Sequence, residues 1–295
     1  MIATTGFFDG VHLGHRLVIE RLVSLARERG DESLVVTFWP HPRAVLQDGA
    51  RELRLLNSLE EKKELLRNLG VDRVEVLDFT RSFAALTAEQ YLREILRDRF
   101  GVTTLLMGYD NRLGSDRLTA DTLKPIAEGI GMELKELLPL SFRPSEASGE
   151  ISSTQIRTAL ENGDIVSAAE MLGYRYSLKG VVVAGNRLGR TIGFPTANMK
   201  LYEPLKLVPG RGVYAVEAEV LGKKYRGMTN IGLRPTVGGS FTTIETHILD
   251  FDEDIYGLPL RITFLRRLRD EVHFPSLEAL KDQLEKDREC CREQK

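Results

Sequence analysis

Along the first 140 residues the hydrophobic period switches repeatedly between short apolar runs and helical spacing. The runs at Leu34 to Trp39, Val74 to Phe79 and Thr103 to Met107 read as buried strands. Between them Val18, Leu22 and Leu25 stand at i, i+4 and i+7, and Leu92, Ile95, Leu96 and Phe100 repeat a helical stripe. Strands alternating with helices imply a mostly parallel sheet covered on both faces. In such a sheet ligands bind beyond the carboxyl ends of the strands, where strands turn into helices.

From Ser152 to Gly173 the pattern is helical and short, and it changes character at Tyr174. Everything after that reads β. Tyr214, Val216, Ala218 and Val220 alternate with Glu217 and Glu219, Gly222 marks a turn, and Thr242 to Leu249 and Pro259 to Leu265 are further strands. A closing amphipathic helix follows Ser276, a suitable N-cap, with Leu277, Leu280 and Leu284 at i, i+3 and i+7. The pattern therefore predicts an α/β domain over residues 1–174 and a β domain over 175–295, without internal repeats.

Composition narrows the partners. Of 295 residues, 41 are basic and 43 acidic, a formal charge of -2, which argues against a long surface for DNA or RNA. Small anionic ligands need only a few local cations. No apolar run approaches the roughly 18 residues of a membrane span, and Met1 to Thr5 lacks the pattern of a signal sequence, so a cytoplasmic protein is expected. Cys290 and Cys291 are adjacent, where an ordinary disulfide between them is geometrically awkward, and are read as reduced thiols.

The segment GFFDGVHLGH, Gly6 to His15, runs from an apolar strand into a helix and carries His12 and His15 three residues apart. At a helix start both imidazoles lie on one face, beside free backbone N–H groups and the positive end of the dipole. Gly10 and Gly14 allow close approach of a phosphate. The arrangement suits stabilisation of the charge that builds up when an α-phosphorus is attacked and pyrophosphate leaves. A chain of this composition contains roughly 0.007 H-x-G-H matches by chance. Two further loops suit phosphates: Ser152, Ser153, Thr154 and Arg157 in ISSTQIR, and Asp110, Asn111, Arg112 and Arg117 in GYDNRLGSDR.

H-x-G-H followed far downstream by S-S-T-x-I-R resembles the nucleotidylyltransferases, which have a Rossmann-like parallel-sheet domain. GFFDGVHLGH, FWPHP at Phe38 to Pro42, and GYDNRLG resemble the FMN adenylyltransferase half of bacterial bifunctional FAD synthetases. The resemblance implies that His12 and His15 bind ATP phosphates and act in catalysis, and that Gly6, Phe8, Asp9 and Gly14 belong to the nucleotide-binding turn. It also implies that Asp110 lies near nucleotide or flavin and that Ser153, Thr154 and Arg157 hold the triphosphate. Asn111 and Leu113 stand where that family often has aromatic residues.

In the second half, glycines 180, 185, 189 and 193 interleave with Arg187 and Arg190, a loop whose backbone N–H groups can wrap phosphates although it is not a P-loop. Thr196 and Asn198 follow, two neutral oxygen donors acceptable to Mg²⁺, which takes its other ligands from water and substrate phosphates. Glu245 lies opposite Ile244, Thr246 and Ile248 in FTTIETHILD. GRTIGFPTAN, GVYAV, NIGLRPTV, ETHILDFDEDIYG and RLRDEVHF, read in order over residues 176–290, resemble the riboflavin kinase module, a six-stranded antiparallel β-barrel. The resemblance implies that Thr196 and Asn198 bind Mg²⁺ and that Gly185, Arg187, Gly189, Arg190 and Gly193 cover the ATP phosphates. It makes Glu245 the general base on the riboflavin 5′-hydroxyl and sets Arg269 and Glu271 near the isoalloxazine ring.

The expected activity is bifunctional: riboflavin and ATP give FMN and ADP in the C-terminal half, and FMN and ATP give FAD and pyrophosphate in the N-terminal half. The alternative is an adenylyltransferase with a non-catalytic flavin-sensing β domain, against which the metal ligands and base of the second half argue. A class I aminoacyl-tRNA synthetase shares H-x-G-H, but ISSTQIR stands in place of its lysine-rich partner motif. A nucleic-acid-binding barrel would cluster basic and aromatic residues on one sheet, which the pattern does not do.

Overall fold

A computed structural model describes residues 1–46, 53–108, 111–137, 151–185, 188–236 and 239–292. Asp110 and Arg187 lie outside the described residues. The chain divides into two compact units, Met1–Ser152 and Ser153–Lys295.

In the first unit β1 (Ile2–Thr5), β2 (Ser33–Trp39), β3 (Arg73–Asp78), β4 (Thr104–Gly108) and β5 (Glu133–Leu137) form a parallel sheet in the order β3-β2-β1-β4-β5. The helix α1 (Leu13–Arg29) joins β1 to β2, and α2 (Pro42–Leu46) and α3 (Leu59–Asn68) join β2 to β3. Next come α4 (Arg81–Ala84), α5 (Ala88–Gln90) and a π-helix over Tyr91–Arg99, and α6 (Ala120–Gly129) precedes β5. Because side chains alternate along a strand, Ala3, Leu34, Val36 and Leu105 pack with Leu92, Leu96 and Leu123 on one face. Ile2, Val35 and Leu106 pack with Ile19, Leu22 and Leu66 on the other. Both stripes seen in the sequence reach these cores, although the second is wound as a π-helix.

The strand order reverses at β1: the chain moves outward to β3 on one side, then crosses to β4 and β5 on the other. A doubly wound sheet binds its ligand at such a reversal, beyond the carboxyl ends of the strands. The H-x-G-H segment leaves β1, and GYDNRLG leaves β4.

The second unit opens with α7 (Ser153–Glu161) and α8 (Ile165–Leu172), the helical pair that the hydrophobic pattern groups with the first domain. These helices pack on the β structure that follows. Gly210 N–H donates to Leu160 C=O at 2.8 Å, and a Cβ on Gly163 would stand 2.7 Å from Tyr214 Oη. The strands are β6 (Ser177–Val183), β7 (Ala197–Leu201), β8 (Gly212–Val220), β9 (Lys223–Thr236), β10 (Gly239–Ile248) and β11 (Pro259–Arg269), with a short α9 (Leu188–Thr191) before β7. They close into a barrel in the order β10-β7-β6-β11-β8-β9, every neighbouring pair antiparallel. Leu221 and Gly222 both adopt positive φ, 53° and 74°, as a two-residue hairpin turn between paired Val220 and Lys223 requires. The helix α10 (Leu277–Arg292) starts where expected, with Ser276 Oγ accepting from Ala279 N–H at 3.2 Å.

Candidate active sites

The turn after β1 is built from residues in unusual backbone states. Phe8 (φ 52°), Gly10 (86°) and Val11 (38°) all adopt positive φ. A branched Val in that region is strained, and such strain persists only where surrounding packing over-determines it. Phe8 and Val11 are buried in the core beneath α1, which holds the turn in place. The turn delivers His12 to the N-cap of α1, where its Nδ1 accepts from His15 N–H at 3.4 Å. The two rings then stack, with centroids 3.6 Å apart and planes 19° apart. A Cβ on Gly14 would press on the His12 ring at 3.3 Å, and one on Gly6 would press on Phe8 at 3.0 Å, so both glycines are set by close packing.

Burial lowers the pKa of His12 to about 4. His15 is also pushed well below the usual range, first by burial and then by the charges of His12 and Lys62. At neutral pH the pair therefore consists of neutral imidazoles, hydrogen-bonding groups rather than cations. The His15 Nδ1 is shielded from solvent and has no hydrogen-bond partner among the described residues.

Asp9 plays a supporting part. It is buried, and its Oδ1 accepts from the backbone N–H groups of Leu56 at 3.0 Å and Asn57 at 3.4 Å. This ties the turn to the start of α3, where Ser58 and Glu61 form a capping box. One residue further on, Lys62 is completely buried, with Nζ 3.5 Å from the centroid of the Phe7 ring and 3.4 Å from Thr37 Oγ1.

The loop after β4 is described from Asn111, whose N–H donates to Gly108 C=O at 3.1 Å. Leu113 pairs with Leu118 and packs against the core, and Arg112 and Arg117 are exposed. Ser153, Thr154 and Arg157 belong to the second unit: Ser153 opens α7, Thr154 is exposed, and Arg157 lies about one turn on.

In the barrel unit a cleft of about 610 Å³ brings together Gly189, Thr196, Glu245, Arg269 and Glu271, with apolar walls that include Phe194, Met228 and Leu280. Glu245 on β10 pairs across the ladder with Asn198 on β7 and with Asn230 on β9. A carboxylate is thus flanked by two amides, because residues opposite each other in a ladder share a face. Thr196 Oγ1 donates to Glu245 Oε2 at 3.5 Å. Gly185 and Gly189 come close to this group by backbone approach. A Cβ on Gly185 would fall 2.2 Å from Asn198 Nδ2, one on Gly189 would fall 2.2 Å from Phe194 O, and Gly193 turns with φ 86°. Arg190 is exposed beside it.

Glu271 Oε1 would lie 2.6 Å from a Cβ on Gly232, so that glycine makes room for the carboxylate. Arg269, at the end of β11, is held by Asp287 of α10, with Arg269 Nη2 2.8 Å from Asp287 Oδ2.

Family models match both parts of the chain: residues 1–155 match FAD synthetase, and residues 172–295 match riboflavin kinase. The chain is 37% identical over 293 residues to the bifunctional riboflavin kinase/FMN adenylyltransferase of Bacillus subtilis, covering 98% of this chain and 90% of that one. The chain belongs to the bifunctional riboflavin kinase/FMN adenylyltransferase family. The enzyme of that name from Escherichia coli K12 is 38% identical over 293 residues, covering 99% of this chain and 92% of its own. A crystal structure described as a macrolide-efflux protein from Streptococcus pneumoniae superposes with a TM-score of 0.91 at 34% identity, covering 100% of this chain and 94% of that one. No described helix of this chain is long and apolar enough to cross a membrane.

Several residues that shape these sites carry no signal of their own in the sequence. Asn230 enters the barrel cleft through barrel register. His247, two residues from Glu245, donates from Nδ1 to Pro195 C=O at 2.8 Å and packs edge-on against Phe194, fixing the backbone just before Thr196. Burial lowers its pKa, which favours the neutral ring. Asp287 reads in the sequence as one more acid in a charged tail, and Lys62 as one more lysine on a polar helix.

Proposed function

We propose that the barrel cleft phosphorylates riboflavin and that the H-x-G-H turn adenylylates the FMN formed, both with ATP, in the cytoplasm. Membership of the bifunctional family supports both activities. The observation that carries the kinase assignment is the placement of Glu245 between Asn198 and Asn230, with Thr196 beside it, on the wall of a cleft large enough for a flavin. Glu245 accepts the proton of the 5′-hydroxyl as that oxygen attacks the γ-phosphorus and ADP leaves. Glu271, Arg269 and the apolar wall take the ring system.

Thr196 and Asn198 would hold Mg²⁺, which offsets phosphate charge when bound. Their fit is supported by the chemistry of the donors, neutral oxygens that suit a hard cation, and by the missing Cβ at Gly185 that leaves Asn198 room. Gly185, Arg187, Gly189, Arg190 and Gly193 wrap the ATP phosphates.

In the adenylyltransferase, Gly6, Phe8, Asp9 and Gly14 shape the turn, and His12 and His15 donate hydrogen bonds to the phosphates as the FMN phosphate attacks the α-phosphorus and pyrophosphate departs. Ser153, Thr154 and Arg157 bind the triphosphate, and Asp110 contributes to nucleotide or flavin binding. Incubation with riboflavin, ATP and Mg²⁺, followed by chromatographic separation of flavins, should yield FMN and then FAD. FMN alone would refute the N-terminal assignment, and no turnover would refute both.

A further inference from the structure

Lys62 is anomalous. A lysine with no exposed surface is rare, since an ammonium loses its hydration on burial and regains it only through close partners. Among the described residues those partners are few: Thr37 Oγ1 at 3.4 Å, the Phe7 ring at 3.5 Å, and the charge of Asp9. Burial lowers the lysine's pKa to about 8, with Asp9 pulling the other way, so the ammonium form still predominates near pH 7. Retaining a desolvated cation costs stability, and a methionine of similar shape would avoid that cost. What the cation faces is the turn itself: Phe7 and Asp9 belong to it, and Lys62 depresses proton binding by His15.

The turn needs such a charge. Its two histidines are stacked, and burial keeps both rings neutral, so they bring directional N–H groups to the phosphates but no net charge. Pyrophosphate leaves with several negative charges, and a fixed cation in a water-poor setting counters them without reorganisation.

We propose that Lys62 is a positioning residue for adenylyl transfer: its buried ammonium, seated on the Phe7 ring and beside Thr37, supplies fixed positive potential beneath the H-x-G-H turn. This rests on the assignment of adenylyl transfer to that turn. Among the described residues the ammonium is met by Thr37 from β2 and the Phe7 ring, feels the charge of Asp9 in the turn, and acts in turn on His15 of α1. Lys62 reaches them from α3 because Asp9 pins Leu56 and Asn57 just before the capped helix start.

The test uses the full chain and three variants: K62M, similar in shape without charge; K62Q, a neutral donor for Thr37; and H15A. Conversion of FMN and ATP to FAD is measured at saturation, with thermal unfolding and an NMR titration of the His15 ring alongside. K62M and K62Q should lose roughly 10-fold or more in kcat with little change in the KM for FMN. K62M should unfold at the same or a higher temperature, and the His15 pKa should rise in both variants. Full activity in either variant, an unmoved His15 titration, or a sharp loss of folding in both would overturn the proposal, the last by making Lys62 a packing residue. Undiminished FAD synthesis in H15A would instead overturn the assignment of the turn.

Discussion

Asp287 of α10 grips the guanidinium of Arg269 on the wall of the barrel cleft, its Oδ2 lying 2.8 Å from Nη2 and 3.0 Å from Nε. Gln283 Nε2 donates to the other oxygen at 2.9 Å, and the carboxylate is almost fully buried. Arg269 is thereby held over Phe274 and beside Glu271, with only part of its donor set left for a ligand. Removing one partner of such a pair leaves a charge without its counterion. Asp287→Ala should destabilise the barrel unit by about 3 kcal/mol and raise the riboflavin KM more than it lowers kcat. Thermal unfolding and steady-state kinase assays check both.

Glu245→Gln keeps the shape of the side chain between Asn198 and Asn230 but removes its basicity. Riboflavin turnover should fall by about 10² to 10⁴, while FAD formation from supplied FMN persists. Comparing the two substrates in one mutant decides the matter: equal losses would mean that the sites are not separate.

His12→Ala and His15→Ala should leave FMN formation intact and cut FAD formation by roughly 10² or more. His12 also caps α1 and stacks on His15, so its removal should cost stability as well, on the order of 1 kcal/mol for the cap. Parallel assays from riboflavin and from FMN, with unfolding curves, separate the two effects.

Acid should weaken the first unit through His12. Its folded pKa is near 4 against the ordinary 6.5 of a histidine, so the unfolded chain binds the extra proton between those pH values. The stability from keeping this ring neutral is complete above about pH 6.5 and is lost as pH falls toward 4, on the order of 3 kcal/mol in all. A urea midpoint that stayed flat from pH 7 to 4.5 in wild type, or that shifted equally in His12→Ala, would contradict this.

A fragment beginning at residue 176 would lose α7 and α8, which bury Ile156, Leu160, Ile165 and Leu172 in the second unit and bond to Gly210. A fragment of residues 153–295 should therefore fold more stably than 176–295, and both should release FMN and never FAD. Circular dichroism melts and flavin chromatography of the two fragments check this.

Much of this protein is written along the chain. Period switching alone announces a parallel sheet followed by β structure, because burying one face of a strand or helix demands a matching repeat of apolar residues. The chemistry of H-x-G-H, FPTAN and ETHI is also local, since each motif packs its groups within a few residues on one turn or strand. Register is not local. The partners of Glu245, the pinning of Arg269 by Asp287, and the burial of Lys62 against Phe7 and Thr37 join residues 15 to 55 apart or depend on which strand neighbours which. The attachment of α7 and α8 to the barrel unit is of the same kind, because helical periodicity states that a face is apolar but not which core it covers. Charge state depends on it too: a histidine or lysine has the same side chain everywhere, and only the packing around it decides how much water it loses and so whether it carries a proton.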